Sequence, residues 1–243
     1  MAARRTRGTG RGGRTLLAVV LLGLALWVAY EAWTWPTVAA LARRAPATTA
    51  FIERYRAQQR AAGRDNHVAR EWTPYAAISP HLKRAVLVGE DINFFSHRGF
   101  ELREVKQALE QAVEELELPR GASTITQQLA KNLWLSPSRN PLRKVKEGVL
   151  TWQLERTLGK RRILELYLNV VEFGPGIYGA GAASRRYFSK AAADLTEAEA
   201  AQLAASLPKP ASWHPGATGR AYQKYVAVIQ RRMARAEFLR KHI

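Results

Sequence analysis

Val88-Gly89-Glu90-Asp91-Ile92-Asn93-Phe94-Phe95-Ser96-His97-Arg98-Gly99 sets two adjacent acids directly behind the apolar run Ala85–Val88. Two aromatics, a histidine and a glycine follow. The plain reading is a helix that ends at Glu90-Asp91, with Phe94 and Phe95 filling a core. The chemical reading starts from cost. A carboxylate among apolar groups is unfavourable by several kcal/mol unless it is paired or changes its pKa. One whose pKa is raised in this way becomes a proton acceptor near neutral pH.

Helix signals continue on the C-terminal side. Leu102, Val105, Leu109, Val113 and Leu116 follow helical spacing, and Pro119 and Gly121 stop them. Ser123 reads as the N-cap of a helix reaching about Leu133. Pro141 suits the first position of the next, which ends near Gly159. Lys160 to about Val171 carries Leu164, Tyr167 and Leu168 on one side. Thr196-Glu197-Ala198-Glu199 is a capping box for an Ala-rich helix that Pro208 ends. A basic helix over about Ala221–Leu239 closes the chain. No alternating strand pattern is evident, so the expected fold is all-α, with one compact domain over residues 75–243.

The N-terminal side reads differently. Residues 1–14 hold Arg4, Arg5, Arg7, Arg11 and Arg14 without an acid, and Leu16 to Tyr30 are all apolar, glycine or aromatic. Trp27, Tyr30, Trp33 and Trp35 crowd the far end. Residues 15–36 are therefore expected to be a transmembrane anchor behind a basic cytoplasmic tail, the rest of the chain lying outside. A cleaved signal peptide is the alternative, and Ala29-Tyr30-Glu31-Ala32, followed by Trp33, Trp35 and Pro36, is a poor cleavage site for one. Residues 37–74 read as a connector of weak periodicity, with Phe51–Ala62 as a basic helix near the membrane surface.

The 243 residues carry 38 Lys plus Arg against 20 Asp plus Glu, a formal charge of +18. That excess implies an anionic partner: nucleic acid, anionic lipid or a phosphorylated substrate. The absence of cysteine excludes disulfides and thiolate metal sites. The five histidines show no paired ligand spacing, and His97 reads as a structural hydrogen bonder.

Three further stretches carry candidate chemistry. Gly121-Ala122-Ser123-Thr124-Ile125-Thr126-Gln127-Gln128-Leu129-Ala130-Lys131-Asn132 opens a helix with free amides and hydroxyls, a start that favours an anion, unless it is simply a capped polar helix. From Arg139 to Glu155, Arg143, Lys144 and Lys146 surround Glu147. The bland account is a surface ion pair worth under about 0.5 kcal/mol. The functional account is a carboxylate held among cations meant for phosphates, suited to electrostatic or metal-holding work rather than proton acceptance. Finally Ile163-Leu164-Glu165-Leu166-Tyr167-Leu168-Asn169 precedes Gly174, Gly176, Gly179 and Gly181, a spacing that fits neither a Walker loop nor a dinucleotide fingerprint.

Taken in order, Glu-Asp-x-x-Phe-x-x-His-x-Gly, Gly-x-Ser-Thr-Ile-x-Gln-Gln-x-x-Lys-Asn, Arg-Lys-x-x-Glu and Ile-Leu-Glu-x-Tyr-Leu-Asn resemble the family 51 peptidoglycan glycosyltransferases over about residues 75–215. Leu195–Ala201 leading to Pro208-Lys209-Pro210 looks like that family's fifth motif. Gly148 departs from it, since an alanine commonly follows the motif glutamate. The end at Ile243 suggests the monofunctional, membrane-anchored form. The resemblance implies a lysozyme-like helical domain with a smaller membrane-facing lobe near Asn132–Leu142, where Leu133, Trp134 and Leu135 would be interfacial.

It also implies polymerisation of lipid II on the outer side of the bacterial inner membrane. The acceptor 4-hydroxyl would attack the anomeric carbon of the lipid-linked glycan, and undecaprenyl pyrophosphate would leave with inversion. Glu90 matches the general base and Glu147 the second catalytic acid. Lys131, Arg139, Arg143 and Lys144 would hold pyrophosphate. Ser123, Thr124, Gln127, Gln128 and Asn132 would hold sugar or phosphate oxygens. Asp91, Phe94 and His97 would line and support the Glu90 loop. No cofactor is required, with Mg or Mn at the pyrophosphate as an option. Implied partners are lipid II, the glycan chain, membrane lipid and other cell-wall synthesis and division proteins, without nucleic acid. Two rivals stand beside this reading. A peptidoglycan-cleaving lysozyme-like enzyme would need no cation cluster, and a membrane-tethered scaffold would not need Glu90.

Overall fold

A computed structural model describes residues 10–101, 123–137 and 141–243. The expected helix through Leu102–Leu116, the arginines before residue 10, and Arg139 lie outside the described residues. The chain divides into two units, Met1–Thr37 and Val38–Ile243.

The first unit is built on helix α1, Gly10–Trp33, of 24 residues. At ~1.5 Å per residue it is about 36 Å long, enough to cross a ~30 Å hydrocarbon core. The span Arg14–Ala42 reaches a mean hydropathy of 2.0, and no other helix among the described residues is long and apolar enough to cross a membrane.

The second unit is helical with a small sheet. Its elements are α2 (Ala50–Ala61), β1 (Ala69–Arg70), α3 (Pro80–Glu90), α4 (Ile125–Trp134), α5 (Pro141–Thr157), α6 (Lys160–Val170), β2 (Glu172–Gly174), β3 (Ile177–Tyr178), α7 (Ala180–Phe188), α8 (Glu197–Ser206) and α9 (Arg220–Arg235). The strand order is β1-β3-β2, with β1 parallel and β2 antiparallel to β3. Strands of two or three residues are too short to show alternation in sequence. Weak periodicity over residues 37–74 likewise hides buried groups: Val38, Leu41 and Ile52 all join the core of this unit.

Helix α3 starts cleanly. Ser79 accepts the His81 amide, and Pro80 takes the first position, where a missing N–H costs nothing. Leu82, Ala85, Val86 and Leu87 are fully buried, and α3 packs between α8 and α9. Alanines 200, 201, 204 and 205 of α8 are also fully buried and allow that close approach. Helix α4 packs on α5 and α6.

Two expectations change. Thr124, not Ser123, caps α4, because a capping box needs Gln or Glu three residues on, and that residue is Gln127. Leu133 and Leu135 are buried at 4% exposure each, so they belong to the core rather than to an interface with lipid. The exposed apolar residues Leu142, Val145, Val149 and Trp152 lie on α5 instead.

Candidate active site

Glu90 is the last residue of α3, and its half-buried carboxylate accepts Gln128 Nε2–H at 2.8 Å. Burial raises its pKa, and the neighbouring charge of Asp91 adds to the rise. The Gln128 hydrogen bond and the Lys131 charge oppose it. The net result is a carboxylate readier to take a proton than an ordinary glutamate.

Asp91 has the opposite surroundings. Its Oδ2 accepts the Ile125 N–H at 2.9 Å, and both oxygens lie within 3.0 Å of His97 Nε2. Gly99 N–H donates to His97 Nδ1 at 3.0 Å, which assigns the histidine proton to Nε2 and directs it at Asp91. Thr124 Oγ1 donates to the Gly99 carbonyl at 2.7 Å. Gly99 has φ +90, and a Cβ there would meet Thr151 Cγ2 at 2.8 Å, so only glycine lets this loop lie on α5. Asp91 and His97 therefore lock the loop after α3 onto the start of α4. The ligand atoms of Asp91, His97 and Glu101 lie within 4.8 Å of one another, but both His97 nitrogens are already engaged.

Three amides at the start of α4 have partners within the protein. Ile125 N–H goes to Asp91, and Thr124 Oγ1 accepts the Gln127 N–H while Gln127 Oε1 accepts the Thr124 N–H. The capping box is the ordinary capped helix start that the sequence also allowed. Asn132 donates to the Gln128 carbonyl of its own helix at 2.9 Å, and Ser123 offers its carbonyl to Gln128 Nε2 at 3.3 Å. Phe94 is fully buried and packs edge-on to Phe95 and His97, with Lys160 Nζ 4.4 Å from its ring centre.

Glu147 lies in α5 and is 3% exposed. Its Oε2 accepts Arg143 Nη1–H at 2.6 Å, and its Oε1 forms a close ion pair with Lys144. Each oxygen thus carries one cation, and any divalent ion there would share the carboxylate with Arg143 and Lys144. Lys131 joins the two halves. Burial lowers its pKa, the charges of Glu147 and Glu90 raise it, and Arg143 and Lys144 lower it. One ammonium thus lies in the electrostatic field of both carboxylates and of the cation pair.

Residues 56–234 match the transglycosylase family. The chain belongs to that family. It is 46% identical over 228 residues to the biosynthetic peptidoglycan transglycosylase of Thiobacillus denitrificans, covering 93% of this chain and 95% of that protein. The protein of the same name from Methylobacillus flagellatus is 42% identical, covering 90% of this chain and 95% of its own. The one from Bordetella pertussis is 40% identical, covering 92% and 94%. Every residue of the cluster described above falls within the matched span.

Sequence reasoning missed three contributors. Tyr167 is fully buried in α6 and donates to Gln128 Oε1 at 2.9 Å. Tyr225 on α9 donates to the Gly89 carbonyl at 3.4 Å, and the Glu90 charge, after burial, raises its pKa. Glu155 accepts Thr126 Oγ1–H at 2.5 Å and Lys160 Nζ–H at 2.8 Å, which ties α4, α5 and α6 together. The one available signal was Tyr167 on an apolar helix face, since a buried phenol needs a partner for its hydroxyl.

Proposed function

We propose that Glu90 is the general base, and that the cations around Glu147 receive the leaving pyrophosphate, in a peptidoglycan glycosyltransferase. The observation that carries this reading is the placement of Lys131, one turn beyond the Gln128 that holds Glu90, on a helix packed against the α5 that carries Glu147 with Arg143 and Lys144. The acceptor sugar's 4-hydroxyl gives its proton to Glu90 as its oxygen bonds the donor's anomeric carbon. The carbon–phosphate oxygen bond breaks on the opposite face, and its electron pair leaves with the lipid pyrophosphate. Lys131, Arg143 and Lys144 meet that charge with ionic hydrogen bonds. Glu147, buried between Arg143 and Lys144, holds these cations in place before substrate arrives, so the leaving group is helped with little reorganisation. The substrates are lipid II and the lipid-linked glycan. The apolar α1 and the arginines before it support a single-pass inner-membrane protein with a cytoplasmic N-terminus and an outward-facing catalytic unit.

The test is incubation of the full chain with lipid II in detergent, with polymer resolved by gel electrophoresis. Glu90→Gln is expected to unfold at the wild-type temperature and to polymerise at least ~10²-fold more slowly, the scale of a lost positioned base. Near-normal polymer from that variant, or sugar release from finished peptidoglycan without lipid II polymerisation, refutes the assignment.

A further inference from the structure

We propose that Tyr167 is a positioning residue for the base, its buried hydroxyl holding the Gln128 carboxamide so that the amide's N–H groups serve Glu90 and the Ser123 carbonyl. The inference rests on Glu90 being the base. Gln128 Nε2 lies 2.8 Å from Glu90 Oε2 and 3.3 Å from Ser123 O. Both are acceptors, so only the NH₂ end of the amide can face them. The carbonyl end then needs a donor in a buried place, and Tyr167 supplies it at 2.9 Å. Burial, with the charges of Glu90 and Asp91, pushes the Tyr167 phenol well above its ordinary pKa, so it stays a donor across the assay range. The two hydrogen bonds run in the same sense, Tyr167 to Gln128 to Glu90, and each strengthens the next. The relay fixes Glu90 Oε2 and leaves Oε1 to take the substrate proton.

The other charged or titratable groups in the field of Glu90 are Lys131 on α4, Asp91 beside it in the chain, and Tyr225 on α9. None of them is altered by Tyr167→Phe. Losing the relay removes a hydrogen bond that favours the ionised carboxylate, so Glu90 should ionise at higher pH.

The experiment measures kcat/KM for lipid II polymerisation against pH, with thermal unfolding alongside, on the full chain. Tyr167→Phe is expected to lose roughly tenfold near neutral pH, the scale of one hydrogen bond to a charged group. The deficit shrinks as pH rises and the acid limb moves upward. In a Gln128→Leu background, Tyr167→Phe moves that limb no further. A deficit equal at every pH, no deficit, or a further shift in the Gln128→Leu background overturns the proposal. Should Tyr167→Phe not fold, Gln128→Met reads the same relay, and an unshifted acid limb in that variant overturns it. Glu90→Gln separates the two levels of argument. If it polymerises normally, the base assignment fails. If it is inactive while Tyr167→Phe keeps the wild-type acid limb, the Tyr167 role alone fails.

Discussion

Asp91→Asn keeps the shape of the side chain and removes its charge. Both Asp91 oxygens approach His97 Nε2, at 2.9 and 3.0 Å, and one of them also accepts the Ile125 N–H. Whichever end of the asparagine is the carbonyl, an NH₂ hydrogen is then aimed at the His97 Nε2–H. The histidine cannot escape by changing tautomer, because its Nδ1 accepts the Gly99 N–H. A hydrogen bond to a charged group contributes about 1.5–3 kcal/mol. A negative charge at a helix N-terminus adds about 0.3–1 kcal/mol. Asp91 is 8% exposed, so solvent screens little of this. The loss is therefore about 2–4 kcal/mol. For a unit of this size, about 2–4 °C per kcal/mol gives a fall in Tm of roughly 4–16 °C by circular dichroism at fixed pH. The functional consequence has the opposite sense to most damage at an active site. The Asp91 charge is the smallest of the influences on Glu90, after burial, Gln128 and Lys131, and it raises the pKa. Glu90 accepts a proton only when ionised, so neutralising its neighbour moves the acid limb of kcat/KM to lower pH. A Tm change below about 1 °C, or an acid limb that moves upward, would refute the reasoning.

Lys131→Met keeps the stem and removes the charge that opposes the high pKa of Glu90. It is expected to raise KM for lipid II, lower kcat and move the acid limb to higher pH, the reverse of Asp91→Asn; an unmoved limb counts against the shared field. Gly148→Ala adds a Cβ that meets nothing within 4 Å in the interior of α5. It is expected to stabilise by about 0.5–1 kcal/mol with lipid II turnover unchanged, and a loss of turnover would mean that substrate uses the space beside Glu147.

The helices were legible where a local rule fixes them. The box at Thr196 and Glu199, Pro141 at the start of α5 and the apolar face of α6 each depend on residues within one or two turns. The three-stranded sheet was not legible, because its β1 finds its partner β3 more than a hundred residues away, and neither carries enough residues to show a period. Within the site, Glu90 and Glu147 stood out as carboxylates in unusual company, apolar in one case and cationic in the other. The phenol of Tyr167 did not, since nothing nearby in sequence tells which of several apolar neighbours on α6 meets a glutamine from α4.

Adjacent residues in each motif take different tasks, and the backbone explains why. Glu90 still follows the α3 helix and turns its side chain to Gln128, whereas Asp91 leaves it at φ −166 and reaches the first amide of α4. Gln127 closes the cap of α4, while Gln128, about 100° further round the helix, meets Glu90 and Tyr167. Lys131 follows Gln128 by three positions and so stays on its face, whereas Asn132 turns back to its own helix. In the first two pairs one member fixes where a helix starts or stops, and the other is thereby aimed at the cluster around Gln128. A shift of one residue at either helix end would exchange the two tasks, leaving Asp91 to face Gln128 with too short a stem to reach it. The spacing of Glu90-Asp91 and of Gln127-Gln128-x-x-Lys131-Asn132 is therefore a requirement of aim as much as of chemistry.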